Sequence, residues 1–279
     1  MSDDGAVTMR VVSKEEVLRE SLAHLQAALV AYSGGVDSAV LMAVAHDVLG
    51  PQATAVTAVS PSLSRHELRA AEALAEGRGW NHVLVETRED EREEYARNDP
   101  QRCYWCKTEL FETLRPLAAE REATLLVGTN RDDLSDHRPG LRAAREHDVM
   151  APLADAGLTK AEVRGLAVTI GLEVADKPAS PCLASRFAYG VRVTPEGLDR
   201  VERAEEVVRS FGFAEFRVRD HGELARIEVS ASEVQRAAGL REELAEGLSA
   251  LGYRYVTLDL VGFRSGSLNE VLRSPRIKR

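Results

Sequence analysis

Apolar positions along this chain follow two periods that alternate. Behind Ser13, a residue type that caps helices, Val17, Leu18, Ser21, Leu22 and Leu25 keep helical spacing, so a helix is predicted over 14–28. A short apolar run, 28–32, then stops abruptly at Ser33-Gly34-Gly35, and 38–49 is apolar almost all round, as in a helix packed on a sheet. The alternation continues with strands over 53–59, 82–86 and 124–128 and helices over 66–77, 108–121 and 160–170, the last capped by Thr159. The runs 29–31, 53–59 and 125–127 suit strands buried on both faces. Strands separated by helices of this length predict βαβ units and an α/β fold built on a doubly wound parallel sheet.

The pattern changes after about Gly171. Residues 176–196 carry three prolines and read as a linker or active-site loop. Thr194-Pro195-Glu196 opens a helix to about 211, with Pro at its first position. Residues 213–219 and 224–229 alternate as hairpin strands around Asp220-His221-Gly222, followed by a helix over 231–248 and a strand over 253–258. The chain thus divides into a first domain, 1–175, and a smaller C-terminal α+β domain, 176–279, whose basic tail from Arg273 is expected to be mobile.

Composition narrows the function. The 279 residues, 44% apolar and 29% charged, can bury a core without disulfide staples. A net charge of −9 argues against a general nucleic-acid binder, whose affinity rests on Lys and Arg facing phosphates. No apolar run reaches the roughly 20 residues of a membrane helix, and the acidic N-terminus has no signal-peptide core, so the expectation is a cytoplasmic protein away from membranes. Three cysteines cannot all pair. In a reducing compartment Cys103, Cys106 and Cys182 read as a metal site, a redox pair or a nucleophile.

Two clusters carry chemistry. Ser33-Gly34-Gly35-Val36-Asp37-Ser38 follows a strand and opens a helix. Its glycines allow positive φ, its N–H groups converge on an anion, and the helix dipole adds positive potential. The bland reading is a tight turn whose glycines serve packing alone. No Gly-Lys-Ser/Thr follows, so it is not a Walker loop. The motif resembles that of the PP-loop (N-type) ATP pyrophosphatases, which adenylate a carbonyl or carboxylate oxygen; the resemblance implies ATP, and Mg²⁺ near Asp37. The second cluster is Cys103-Tyr104-Trp105-Cys106-Lys107 with Cys182 in a distant Pro-Cys loop. A helix N-terminus nearby would lower a thiol pKa, and Lys107 could reach a phosphate. Three thiolates fall one short of a structural zinc site, for which His137 or His221 is a candidate fourth ligand. They would equally hold a [4Fe–4S] cluster with one open iron. Buried, inert thiols are the plain alternative.

Gly128-Thr129-Asn130-Arg131-Asp132-Asp133, Asp176-Lys177-Pro178-Ala179-Ser180-Pro181-Cys182-Leu183-Ala184-Ser185-Arg186 and Val218-Arg219-Asp220-His221-Gly222 together resemble one family over most of 14–265. It is the LarE family, the ATP-dependent sulfur transferases of nickel-pincer cofactor biosynthesis. The resemblance implies a small nucleotide substrate, pyridinium-3,5-biscarboxylic acid mononucleotide, whose carboxylate is adenylated and then converted to a thiocarboxylate. It implies that sulfur comes either from the cysteine at the Cys182 position, sacrificed once, or through a [4Fe–4S] cluster on Cys103, Cys106 and Cys182; the three cysteines favour the cluster. It further implies ATP and pyrophosphate contacts from Ser33, Gly34, Gly35, Asp37, Ser38, Lys107, Asp132 and Asp133. Arg217 and Arg219, two apart on one strand face, would take the substrate phosphate and Arg186 a carboxylate. Glu205 and Glu228 would lie near the substrate, with a metal role open to them. The plain alternatives are a solvated helix face for Glu205 and a polar strand face for the two arginines. A sulfide donor, other cofactor-building enzymes and a homo-oligomer are the implied partners. The competing readings are a PP-loop tRNA thiolase, an amidating ligase of the NAD or GMP synthetase kind, and a non-catalytic nucleotide-binding module with structural zinc.

Overall fold

The computed structural model describes residues 13–135 and 139–264; His137 and the basic tail lie outside them. The first helix, α1 (Lys14–Ala23), opens with a capping box between Ser13 and Glu16. It stops five residues short of the predicted end, because β1 (Ala28–Ala31) must begin in extended backbone at that same residue. Then follow α2 (Val36–Leu49), β2 (Ala53–Val59), α3 (Arg65–Gly77) and β3 (Asn81–Glu86). Next come α4 (Glu93–Ala96), α5 (Arg102–Glu120), β4 (Thr124–Val127), α6 (Pro139–Glu146), α7 (Pro152–Asp155) and α8 (Lys160–Thr169). The four strands form one parallel sheet in the order β3-β2-β1-β4.

Alternation along β1 separates the two faces. Ala28 and Val30 join a core with α1, α2, α3 and α8, while Leu29 joins Val56, Leu110, Phe111, Leu114 and Val127 on the other side. Helices therefore cover both faces, as the apolar strand runs require. The chain leaves β1 toward β2 and β3 on one side, then crosses to β4 on the other. The strand order reverses between β1 and β4, and ligands of open α/β sheets bind beyond the strand ends at such a point.

The predicted start of α5 at 108 is corrected. Asp99 and Pro100 form its entry: the Asp99 carboxylate accepts from Gln101 N–H at 2.7 Å and its carbonyl from Arg102 N–H at 3.0 Å. The helix begins at Arg102, so Cys103 and Cys106 lie within its first two turns.

After the loop that holds Cys182 comes α9 (Pro195–Ser210), capped by Thr194 with Pro at N1. β5 (Phe216–Asp220) and β6 (Leu224–Val229) pair antiparallel, and β7 (Tyr255–Leu258) lies parallel to β6. The helix predicted over 231–248 is interrupted. A 3-10 turn at Ala231–Glu233 leads into α10 (Val234–Gly239), and α11 (Arg241–Ser249) restarts after Gly239, a poor interior helix residue. α9, α10, α11 and this sheet enclose a second core. A third apolar cluster joins Tyr95 to Leu183, Ala184, Phe187, Val193, Leu198 and Val201, so the cysteine loop is packed between the two parts of the chain.

Candidate active site

The glycine motif sits at the switch point. Gly34 has φ +68°, and a Cβ there would lie 2.8 Å from Ala71 Cβ in α3. Glycine is needed both for the conformation and for the close approach. The hydroxyls lock the turn: Ser38 Oγ donates to Gly35 O at 3.0 Å, and lies 3.2 Å from Ser33 Oγ and from Ser33 N–H. Val36, Asp37 and Ser38 form the first turn of α2, where N–H groups have no i−4 carbonyl within the helix and can serve an anion. From the neighbouring strand β4, Gly128 presses on the same turn. A Cβ at Gly128 would meet Ser38 N at 2.7 Å and Asp37 C at 2.9 Å, both backbone atoms that cannot move aside. Gly128→Ala is expected to lose at least the roughly 1–3 kcal/mol of an overpacked core, read as a lowered denaturation midpoint, together with weakened ATP binding.

Asp37 is the carboxylate of this loop. Its Oδ2 lies 2.5 Å from Lys160 Nζ, and its Oδ1 accepts from Asn130 Nδ2 at 3.3 Å. Lys160 and Asn130 are site residues beyond those that the motifs single out. Asn130 belongs to the Gly-Thr-Asn stretch, and Lys160 follows the Thr159 cap, so each carries a signal. Asp132 and Asp133 act on backbone. Asp132 accepts from Lys160 N–H at 2.9 Å, and Asp133 from Asn130 N–H at 3.1 Å, which ties the loop after β4 to the start of α8 beside Asp37. Lys107 is half-buried on α5, with its side chain against Gly140 of α6.

The Cys182 loop is pinned at four points. Lys177 Nζ donates to Gly34 O at 3.2 Å and pairs with Glu67 at 2.7 Å. Burial alone would push the Glu67 carboxyl up, but the hydrogen bond and charge of Lys177 outweigh it and hold the group below its ordinary value. Arg217 Nη2 donates to Ala179 O at 2.9 Å, Arg186 Nη1 to Pro181 O at 2.5 Å and to Cys182 O at 3.1 Å, and Leu183 N–H to Ser62 O at 2.9 Å. Ser62 and Ser60 both donate to the buried Glu89 carboxylate at 2.6 Å.

All three cysteines are free thiols. Cys106 and Cys182 pack against the cluster around Tyr95 and Leu183, and Cys103 keeps an exposed flank. The expectation of lowered thiol pKa values is overturned for Cys103 and Cys106. Burial pushes both up, Cys106 well beyond the ordinary thiol range, and the neighbouring Cys182 adds to the rise; Arg102 opposes it at Cys103 and Lys107 opposes it at both. Dense surroundings outweigh the helix dipole here, whose effect is confined to the terminal turn. The three sulfurs thus share one electrostatic neighbourhood. Among the described residues, no group of three His, Cys, Asp or Glu side chains is gathered as a metal centre. His221 lies in the β5–β6 turn, where burial and then the charge of Arg226 push its imidazole below the ordinary value.

Glu205 is not on a solvated face. It is 4% exposed, and its two oxygens take Arg186 Nε and Nη2 at 2.8 and 2.9 Å, with Val218 N–H at 3.2 Å. Glu228, 1% exposed, accepts from Arg219 at 2.8 Å and Arg226 at 2.7 Å. Arg219 is buried, and Arg217 is half-buried. Arg186 and Arg219 are therefore bound to carboxylates of the chain itself. Arg217 differs: its guanidinium donates to the carbonyls of Phe216 and Ala179 and lies 5.0 Å over the Phe263 ring. Burial, then the charges of Arg186 and Arg219, push it down to about 10, still a cation at neutral pH. Removing Arg186 leaves a buried carboxylate unpaired and the Cys182 loop unpinned. Arg186→Met should cost about 3–5 kcal/mol, measured by chemical denaturation; a change below about 1 kcal/mol would mean the pair behaves as a surface one.

A parallel sheet with a glycine–serine phosphate cradle at its switch point defines a PP-loop ATP pyrophosphatase. Residues 15–114 match the asparagine synthase family. Over 263 residues the chain is 47% identical to an uncharacterized protein of Synechocystis sp., covering 93% of this chain and 98% of that one. Over 270 residues it is 37% identical to the pyridinium-3,5-bisthiocarboxylic acid mononucleotide synthase of Lactiplantibacillus plantarum, covering 96% and 98%. An uncharacterized protein of Methanocaldococcus jannaschii is 29% identical over 238 residues, 85% of this chain and 90% of that one. The chain belongs to the family of that synthase, the PP-loop ATP-dependent sulfur transferases.

Proposed function

We propose that the chain adenylates a carboxylate of pyridinium-3,5-biscarboxylic acid mononucleotide and replaces AMP by sulfur, giving the thiocarboxylate. The first step exchanges pyrophosphate for the acyl oxygen of the substrate. It turns a poor electrophile into an acyl phosphate anhydride. The second forms a C–S bond as the C–O bond to AMP breaks, and AMP leaves with the electron pair. The observation that carries the reading is the Cys182 loop: one segment runs from Lys177, hydrogen-bonded to the phosphate cradle, past Ala179, held by Arg217, to Cys182 itself. Sulfur and activated carboxylate are thereby held to one end of the sheet.

In this reading Ser33, Gly34, Gly35 and Ser38 bind the leaving pyrophosphate, with Lys107 as a further phosphate contact. Lys160 offers a cation beside Asp37. Mg²⁺ arriving with ATP would meet Asp37 with Lys160 and Asn130 each on one of its oxygens, and each oxygen keeps a further lone pair for the metal. Arg217 takes the nucleotide phosphate. Arg186, Arg219, Glu205 and Glu228 form the buried frame around that phosphate.

Three thiols without a histidine among them suit iron–sulfur ligation in kind, and Cys103, Cys106 and Cys182 would hold a [4Fe–4S] cluster that supplies sulfide when bound. Without it, Cys182 would donate its own sulfur. A reducing cytoplasm, a sulfide donor, other enzymes of the cofactor pathway and a homo-oligomer belong to the same reading, with no nucleic acid or membrane involved. The test is turnover with ATP, the dicarboxylate nucleotide and sulfide under anaerobic conditions, after reconstitution with iron. Pyrophosphate, AMP and a product with sulfur in place of oxygen are expected. Pyrophosphate release that requires tRNA, or that yields an amide with ammonia, would overturn the reading.

A further inference from the structure

Lys177 reaches the phosphate cradle from behind. Its Nζ donates to Gly34 O at 3.2 Å and lies 2.7 Å from Glu67 Oε2, in the first turn of α3. Both side chains are largely buried, at 21% and 18% exposed. The backbone of Lys177 is fixed as well. Arg164 of α8 donates to Ala175 O and, at 2.9 Å, to Lys177 O. Arg164 follows Lys160 by one turn on the same helix face, so α8 holds both Asp37 of the cradle and the start of the sulfur loop. Glu67 and Arg164 account for anchoring the loop. The contact with Gly34 O goes beyond anchoring.

That carbonyl matters because of what lies across its peptide. Gly34 C=O and Gly35 N–H share one planar unit and point in opposite directions. Gly35 is the N-cap of α2, and its N–H meets only Ser33 Oγ, at 3.4 Å, so it is still available to an anion. A peptide between two glycines can turn over at little steric cost, since neither flanking residue carries a Cβ. Turned over, it would show a phosphate a carbonyl oxygen in place of an N–H. A cation seated on the carbonyl opposes that. Glu67 already balances the ammonium, so Lys177 supplies orientation to the cradle more than net charge.

We propose that Lys177 is a positioning residue for pyrophosphate: it locks the Gly34–Gly35 peptide with its N–H toward the anion, so the cradle is complete only when the Cys182 loop is docked. The proposal rests on the sulfur-transfer reading and adds an order of events to it. The sulfur loop is seated before the carboxylate is activated, and the reactive acyl adenylate is not formed with the loop away and open to water.

The test is binding of inorganic pyrophosphate to the full chain, read by titration calorimetry. Lys177→Met should raise the Kd by about 10–100-fold, the worth of one hydrogen bond to a charged group, and Lys177→Arg should recover most of the affinity. The double variant Lys177→Met, Glu67→Gln removes both charges of the pair, and its Kd should stay raised. Recovery there would trace the loss to the bared Glu67 carboxylate and overturn the proposal. An unchanged Kd in Lys177→Met, with Cys182 merely faster to alkylate by iodoacetamide, would reduce Lys177 to a loop anchor and overturn it too. The coupling is reciprocal. In the unmodified chain, saturating pyrophosphate should slow hydrogen exchange across residues 176–187, and Lys177→Met should lose that slowing. Should Lys177→Met fail to fold, the unmodified chain decides: exchange across 176–187 that ignores pyrophosphate would overturn the proposal. If binding and exchange behave as expected while no sulfur source yields a thio product, the sulfur-transfer reading falls and the peptide lock stands.

Discussion

Cys182→Ser is expected to reduce thiocarboxylate formation by a factor on the order of 10³ or more while pyrophosphate release continues. Serine keeps nearly the shape of the side chain. The loop is held by Lys177, Arg186 and Arg217 through backbone carbonyls that the substitution does not touch. The phosphate cradle is linked to the loop through Gly34 and Lys177, not through the thiol. What disappears is the sulfur. A serine hydroxyl stays protonated near neutral pH and neither ligates iron nor gives up a sulfur atom. Parallel assays of pyrophosphate and of the thio product separate the two steps. Thio product at the unmodified rate would sink the proposed chemistry.

Companion variants then divide the two sources of sulfur. If Cys182 is sacrificed, Cys103→Ser and Cys106→Ser keep a single turnover, and the chain loses one H₂S from Cys182. If the three thiols act as one ligand set, each replacement removes the product alike, and Cys182 is unchanged in mass after turnover. Cys106, on the inner side of α5 with its thiol pushed far up by burial, ionises least readily of the pair in that helix. Metal ligation, which requires the thiolate, is the chemistry that would bring it into use.

Much of this architecture is legible from residue pattern alone. The apolar runs of β1 and β2 demand cover on both faces, and the glycine pair after β1 marks a turn where backbone can wrap an anion. The start of α5 is harder to read, because Asp99-Pro100 suits a loop as well as a helix opening. The difference matters, since it moves Cys103 and Cys106 from a loop onto a helix. Glu205 has a readable sign too: it lies four residues after Val201 and three before Val208, on the buried stripe of α9. The partners of the charged groups are not readable. Arg186 finds Glu205 19 residues away, Lys177 finds Gly34 143 away and Lys160 finds Asp37 123 away, and only the packed sheet brings these together. A motif names which residues gather at a site. It does not say which arginines are already neutralised within the frame and which are left to take a ligand.

Lys160→Met should lower ATP-dependent pyrophosphate release by about 10²–10³-fold, the usual loss when one fixed donor to a developing charge is removed. The side chain ends 2.5 Å from Asp37 Oδ2, on the helix turn that cradles phosphate, and its own helix starts on an N-cap whose neighbouring backbone is tied to Asp132. Folding should be nearly unaffected, because both partners remain partly exposed, at 37% and 24%, and such pairs contribute about 0–1 kcal/mol. The change belongs in kcat if the ammonium acts on charge that builds up as pyrophosphate leaves. A double-mutant cycle with Asp37→Asn decides how Lys160 works. If it merely neutralises Asp37, removing both charges restores most of the rate. If it acts on the phosphates directly, the double variant stays as slow as Lys160→Met alone. The second outcome is expected: a neutral amide in place of the Asp37 carboxylate would remove a repulsion, but nothing else in this turn would replace the lost cation. Recovery of the rate in the double variant would reduce Lys160 to a partner of Asp37 and return the leaving-group charge to the cradle's N–H groups.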